Sequence, residues 1–172
     1  KFCPFTKEIL IEVLPKINPQ VSPNATICLG QSIKLLAEGS NTYSWSPSAS
    51  LNESTSTNPV ASPTVSTVYT VQISNYNNCT VTNTVLVHVN PTPTVNAGED
   101  FAVNLDEPMH LNAQGSGTLT WIFGQEVYCS VCPNSQIFPK TSGCYQIQAV
   151  NEYDCKVTDE VCVEVTANYN MY

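Results

Sequence analysis

The chain of 172 residues carries a net charge of −8 and contains eight cysteines and twelve prolines. All six of its basic residues are lysines, so it lacks the clustered Arg and Lys that bind phosphates, which argues against nucleic-acid binding. No run approaches the roughly 20 apolar residues of a membrane-spanning helix. Many cysteines with few charges favour an oxidising, extracellular compartment over the alternative of reduced, buried thiols in the cytosol.

An internal repeat organises the chain. Residues 79–89 and 155–165 share one pattern, residues 3–13 give a third copy, and the spacing is 76 residues each time. A period this long predicts small domains in series. Because the numbering starts in mid-repeat, we expect a piece of a longer protein. The predicted parts are the terminal strand of a preceding repeat (1–14), two repeats (15–90 and 91–166) and a linker to a following domain (167–172).

Apolar residues alternate along short segments of both repeats, as half-buried strands require. Apolar and polar residues alternate along 1–14, and the composition of residues 25–27 predicts a short strand. Further strands of the first repeat are predicted around residues 33–37, 43–45, 60, 69–73 and 81–89, and the second repeat follows the same plan. No segment shows helical periodicity over a useful length.

The predicted fold class is all-β, with tandem immunoglobulin-like sandwiches. About seven short strands with polar turns, one central Trp and a Tyr opening the penultimate strand are typical of that fold. We expect Trp45, Trp121, Tyr69 and Tyr145 to fill the two cores rather than to stack on a ligand.

Cys144 and Cys162 flank a predicted turn centred on residue 153, which makes them direct cross-strand neighbours. Cysteines at that spacing can form a disulfide. The first repeat has Val68 and Leu86 at the same two positions.

Cys129 and Cys132 form a C-x-x-C motif. Zinc would need a second pair of ligands, and His88 and His110 are predicted on outward faces of different repeats. Thiol redox chemistry would want a helix N-terminus, and no helix is predicted. We therefore expect a local disulfide.

Cys28 has two possible partners. A bridge to Cys79 lies within one repeat, but the sandwich would place these residues at opposite poles. Strands advance about 3.3 Å per residue, so that separation exceeds the roughly 7 Å limit for a disulfide. In a head-to-tail array Cys28 would instead face Cys155, and Cys79 and Cys3 would pair with upstream domains. The inter-domain pair is favoured, and Asn104 replaces the cysteine in the second repeat.

Several motifs together resemble the PKD-like or immunoglobulin-like repeats of large Bacteroidota surface proteins. They are Cys28-x-Gly30, the Tyr-Ser-Trp-Ser-Pro run at 43–47, the Asn-Cys turn at 78–79 and the Trp-Ile-Phe-Gly run at 121–124. The resemblance implies export by the type IX secretion system, with a type B C-terminal sorting domain after residue 172. The partners it implies are neighbouring domains of the same chain, the secretion machinery and outer-membrane or gliding-motility proteins. Asn104 departs from the family pattern of cysteines.

The sequence contains no catalytic triad, paired catalytic carboxylates or phosphate loop, so we expect no enzyme, no cofactor and no metal. The acidic residues Glu99, Asp100, Asp106 and Glu107 are interpreted as a solvated loop rather than a Ca²⁺ site. The leading hypothesis is the structural stalk of a cell-surface adhesin. The alternatives are a glycan- or protein-binding module using exposed tyrosines, and an accessory region of a secreted enzyme; those tyrosines are Tyr76, Tyr128 and Tyr153.

Overall fold

The computed structural model describes residues 6–10, 16–77, 79–105, 107–123 and 127–166, and all regular structure in these ranges is β-strand. The chain divides into two compact units, Lys1–Val89 and Asn90–Tyr172. Within the described ranges there is no helix with the length and apolarity needed to cross a membrane.

The described residues of the first unit form eight strands. They are β1 (Gln20–Val21), β2 (Ala25–Cys28), β3 (Ile33–Lys34), β4 (Ala37–Glu38), β5 (Thr42–Ser46), β6 (Val60–Ala61), β7 (Thr67–Ser74) and β8 (Thr80–Asn90). They form a four-stranded sheet in the order β2-β8-β7-β5 and two pairs, β3-β6 and β1-β4.

The second unit repeats this plan. Its strands are β9 (Val95–Asn96), β10 (Phe101–Asn104), β11 (Met109–Asn112), β12 (Gln114–Gly115), β13 (Thr118–Phe123), β14 (Asn134–Ile137), β15 (Gly143–Val150) and β16 (Lys156–Thr166). The large sheet has the order β10-β16-β15-β13, beside the pairs β11-β14 and β12-β9. Strand β10 runs parallel to β16, whereas β15 is antiparallel to both β13 and β16.

Each unit has its own hydrophobic core, because alternate strand residues point to one side of the sheet. In β7 the buried residues are Tyr69, Val71 and Ile73, and β15 buries Tyr145, Ile147 and Ala149 at the same positions. Side chains of β2, β3–β4, β5, β6 and β8 also belong to the first core, and their counterparts belong to the second. The predicted all-β sandwich class is confirmed.

Two equivalent glycines permit a close approach of backbones. A Cβ on Gly39, whose φ is +110°, would lie 2.5 Å from the Asn18 carbonyl oxygen. A Cβ on Gly115 would collide with the Thr94 carbonyl oxygen, 76 residues along from Asn18. Only glycine therefore fits this crossing in either unit.

The assignment of residues 1–14 to the terminal strand of a preceding repeat stays a prediction. Residues 6–10 belong to no strand, and Ile9 is 76% exposed. A strand is stable only when its backbone groups pair with a neighbouring strand, and no described strand pairs with this segment. One strand with inward-facing residues is predicted over 33–37, but the structure has two strands there. They are β3 and β4, and they pair with different partners, β6 and β1. The predicted linker at 167–172 lies outside the described residues.

Candidate functional site

Both tryptophans are buried and hold a long loop against the core. The Trp45 indole N–H donates to the Ser56 carbonyl at 3.0 Å, and the Trp121 indole donates to the Cys132 carbonyl at 3.2 Å. Their backbone N–H groups donate to Ser54 and Ser130, each at 2.7 Å. The rings are 2% and 4% exposed, so they are structural residues with no face open to a ligand.

The two predicted core tyrosines are likewise buried. Tyr69 has no exposed surface, and its phenol hydroxyl forms a hydrogen bond with the Ser50 hydroxyl. Tyr145 is 3% exposed. A buried phenol that has a hydrogen-bond partner stabilises the fold, so Tyr69 anchors the loop that follows β5.

Each turn before the last strand is shaped by one asparagine side chain. The Asn75 Oδ1 accepts from the backbone N–H of Asn77 and Cys79, both at 3.0 Å. In the second unit Asn151 Oδ1 accepts from Tyr153 and Cys155, again at 3.0 Å. Sequence reasoning missed this role, although an asparagine recurring at the 76-residue spacing was a usable signal.

A disulfide joins Cys144 to Cys162 across β15 and β16. The two residues are direct register partners, with their Cα atoms 3.9 Å apart. The Cys162 backbone N–H also donates to Asp100 Oδ1 at 2.7 Å. In the first unit Leu86 donates to Asn24 Oδ1 at 2.9 Å, so this side-chain acceptor is common to both units.

A second disulfide joins Cys129 to Cys132 in the loop between β13 and β14, with a Cα–Cα distance of 5.3 Å. The Cys129 backbone N–H donates to the Ser135 hydroxyl at 2.9 Å. Because the Cys132 carbonyl accepts the Trp121 indole, this bridge is attached directly to the core. The local disulfide predicted for the C-x-x-C motif is present.

The described part of the chain contains no group of three His, Cys, Asp or Glu residues that could hold a metal ion. His88 and His110 are exposed, as predicted. Glu107 accepts from the Asn104 side-chain amide at 2.9 Å, and Asp100 accepts from the backbone of β16. Asp106 lies outside the described residues.

The remaining described cysteines differ from one another. Cys79 is a free, partly buried thiol, whereas Cys28 and Cys155 are both disulfide-bonded. A Cys28–Cys79 bridge is therefore not formed. The pairing of Cys28 with Cys155 stays a prediction, and Cys3 lies outside the described residues.

A surface groove of about 580 Å³ lies beside the Cys144–Cys162 bridge. Asp100 and Glu164 give it an acidic rim, and Ser142 contributes its hydroxyl. That hydroxyl accepts from the Val165 backbone N–H at 2.9 Å, and the lining contains no histidine to activate it.

The three tyrosines singled out as recognition residues are all exposed, by 84% for Tyr76, 86% for Tyr128 and 50% for Tyr153. They occupy three different loops. The neighbouring Glu152 carboxylate accepts a hydrogen bond from the Tyr153 phenol and disfavours its anion by charge, which raises the pKa of Tyr153. Because each of the three tyrosines lies in a different loop, no single loop presents them as one binding site.

No protein-family model matches the chain, and no curated protein matches it. Among solved structures it is similar to the insect immune protein hemolin, at 15% identity and a TM-score of 0.45, over 88% of this chain and 48% of hemolin. It is also similar to Sidekick-1 immunoglobulin domains 1–4, at 17% identity and a TM-score of 0.38, over 87% of this chain and 49% of that one. DIP-gamma Ig1+Ig2 matches at 14% identity and a TM-score of 0.34, over 86% of this chain and 97% of that one. The chain thus spans about half the length of the hemolin and Sidekick-1 structures.

Proposed function

We propose that the two units are non-enzymatic stalk modules of a secreted cell-surface adhesin, which space and anchor the rest of the protein. The observation that carries this proposal is that both units use equivalent polar side chains for the same task. Asn75 and Asn151 shape turns, Asn24 and Asp100 accept from the last strand, and each Trp indole anchors a loop. These side chains support the sandwich itself.

The finer parts of the proposal follow from the sequence motifs. These parts are export by the type IX secretion system of a Bacteroidota cell, a PKD-like relationship and a link to gliding motility or surface attachment. Disulfides are typical of secreted proteins, and six of the described cysteines are disulfide-bonded, four of them in the Cys144–Cys162 and Cys129–Cys132 bridges. Cell-surface labelling with an antibody against this segment should lose its signal when type IX export is disabled.

A bridge between Cys28 and Cys155 would make the array a stiff one, because it would join consecutive units covalently. Proteolysis without reduction should release one peptide pair that contains both cysteines. Small-angle scattering should then show a broader range of overall dimensions for the Cys28→Ser/Cys155→Ser variant than for the unsubstituted chain. Recovery of Cys28 with any other cysteine would contradict the stiff array.

A recognition role is the second candidate function, and the high exposure of Tyr76 and Tyr128 favours it. Binding to a glycan array that disappears in both Tyr76→Ala and Tyr128→Ala variants would support this role over a purely structural one. An array that binds nothing in any variant would leave the structural function as the better account.

A further inference from the structure

The disulfide across β15 and β16 has a carboxylate on either side of it along β16. Strand residues alternate between the two faces of a sheet, and Val161 and Val163 of β16 are buried. The exposed Glu160 and Glu164 therefore share the solvent-facing side of the sheet with Cys162. Each of them lies two residues from Cys162, which is about 7 Å along a strand.

A third carboxylate belongs to Asp100, just before β10. Its Oδ1 accepts a hydrogen bond from the Cys162 backbone N–H at 2.7 Å, so it is held beside the bridge. Asp100, Glu164 and both bridged cysteines line the same groove, and no basic residue is among the described residues that line it. We call Asp100, Glu160 and Glu164 the carboxylate border.

The negative charge of the carboxylate border is not needed for the fold. At the position of Asp100 the first unit has Asn24, whose Oδ1 accepts the equivalent hydrogen bond from Leu86 at 2.9 Å. A neutral amide thus has the same structural role. The other two counterparts, Thr84 and His88, are not carboxylates either. The first unit also has no cysteines at the bridged positions, so the carboxylates and the disulfide occur together.

Reduction of a disulfide begins when a thiolate attacks one of its two sulfurs. A mixed disulfide forms, and the other cysteine sulfur leaves as a thiolate. A second thiolate then attacks the mixed disulfide, which releases the oxidised reductant and the remaining cysteine. Two electrons thus pass from two thiols to the bridge, and the two protons that the thiols lose end on the cysteines. Both steps bring in and release negative charge, which nearby carboxylates disfavour.

We propose that the carboxylate border makes reduction of the Cys144–Cys162 bridge selective for the charge of the reductant. An anionic thiol such as glutathione is repelled as it approaches, and so it opens the bridge slowly. A cationic thiol is attracted by the same carboxylates, and this attraction offsets the unfavourable charge of its thiolate. This role goes beyond the stalk function and does not depend on it.

The test compares how fast two small thiols open this bridge in the full chain at low salt. Glutathione is the anionic reductant, and cysteamine is the cationic one. Samples are quenched with iodoacetamide, and peptide mass spectrometry follows each bridge separately. The selectivity is the cysteamine rate divided by the glutathione rate, each taken per thiolate. Added salt should lower it, because salt screens the interaction between exposed charges.

In the variant Asp100→Asn/Glu160→Gln/Glu164→Gln, the glutathione rate should rise at least about threefold, whereas the cysteamine rate should change little. The selectivity should therefore fall by the same factor. Asp100→Asn alone introduces the residue that the first unit has, and it should change the selectivity in the same direction by a smaller factor. Circular dichroism of the oxidised variants checks that they are folded.

The matched control Glu38→Gln/Glu53→Gln/Glu152→Gln removes as many charges from residues that do not line the groove. It should leave the selectivity unchanged, and the Cys129–Cys132 bridge serves as an internal control in every sample. A selectivity that does not fall in the border variants, or that falls equally in the matched control, would overturn the proposal. Opening rates that do not depend on thiol concentration would also overturn it, because local unfolding would then limit reduction.

Discussion

The two units share one hydrogen-bond scaffold but differ in their covalent links. In each unit a Trp indole holds a loop, an asparagine side chain shapes the turn before the last strand, and another side chain accepts a hydrogen bond from the backbone of that strand. The second unit adds bridges at Cys129–Cys132 and Cys144–Cys162, whereas the described cysteines of the first unit, Cys28 and Cys79, do not bond to each other. The scaffold therefore forms the sandwich, and the disulfides are additions to it.

The positions of those additions show why they are tolerated. Val68 and Leu86 are register partners in β7 and β8, as Cys144 and Cys162 are in β15 and β16. The antiparallel ladder already brings such residues to bonding distance, so two substitutions suffice to create a bridge. Covalent reinforcement could thus arise in one unit without any change in backbone topology.

The largest expected effect comes from removing a tryptophan. Trp45→Ala should cost about 3–5 kcal/mol of unfolding free energy, because it leaves a cavity and an unpaired Ser56 carbonyl. Trp121→Ala should cost a similar amount in the second unit. Denaturant titration followed by circular dichroism measures each loss, and fluorescence of the remaining Trp reports the unsubstituted unit as an internal control. If Trp121→Ala unfolds the second unit at a lower denaturant concentration than the one at which Trp45→Ala unfolds the first, the two tryptophans do not have equivalent roles.

Replacing Cys144 and Cys162 with the residues that the first unit has at the same positions should have the next largest effect on stability. Cys144→Val/Cys162→Leu introduces the first unit's residues and should cost about 3 kcal/mol, as expected for a loop of this length. For a domain of this size that is a fall in Tm of about 12–24 °C. The matched variant Val68→Cys/Leu86→Cys should raise the Tm of the first unit under oxidising conditions only. A fall in Tm that persists under reducing conditions would mean that packing, rather than the bridge, differs.

The shared turn asparagines should give smaller losses. The Asn151 side-chain amide also donates to the Pro91 carbonyl at 2.7 Å, and losing that bond adds to the cost of Asn151→Ala. Asn75→Ala and Asn151→Ala each remove an acceptor of two backbone hydrogen bonds and should cost about 1–3 kcal/mol. Hydrogen exchange at the Cys79 and Cys155 amides should accelerate in the corresponding variant. Asn75→Asp retains the acceptor oxygen and serves as the control. A loss below about 1 kcal/mol for Asn75→Ala would show that this side chain does not hold the turn.

The smallest effect concerns the titration of Tyr153. Its pKa is raised above the ordinary value of 10.0 by Glu152. A phenol whose folded pKa is raised contributes stability below pH 10, and that contribution disappears as the pH rises through the folded pKa. Glu152→Gln should move the pKa of Tyr153 down towards 10.0, as followed by phenolate absorbance. An unchanged Tyr153 titration would exclude Glu152 as the cause.

Several of these features were predictable because they depend on local pattern. The alternation of apolar residues identifies β7, β8, β15 and β16, and the 76-residue period aligns them between units. The register of a tight hairpin follows from the position of its turn, so the neighbouring positions of Cys144 and Cys162 were predictable. Burial of Trp45 and Trp121 follows from their place in the same apolar rows.

Other features were decided only by tertiary structure, because they join segments that no local pattern relates. The carbonyl that accepts each indole lies 11 residues along the chain, in a polar loop whose path the core sets. The separation of β3 from β4 depends on which strands pair with them, and residues 6–10 form no strand because alternation cannot supply a partner.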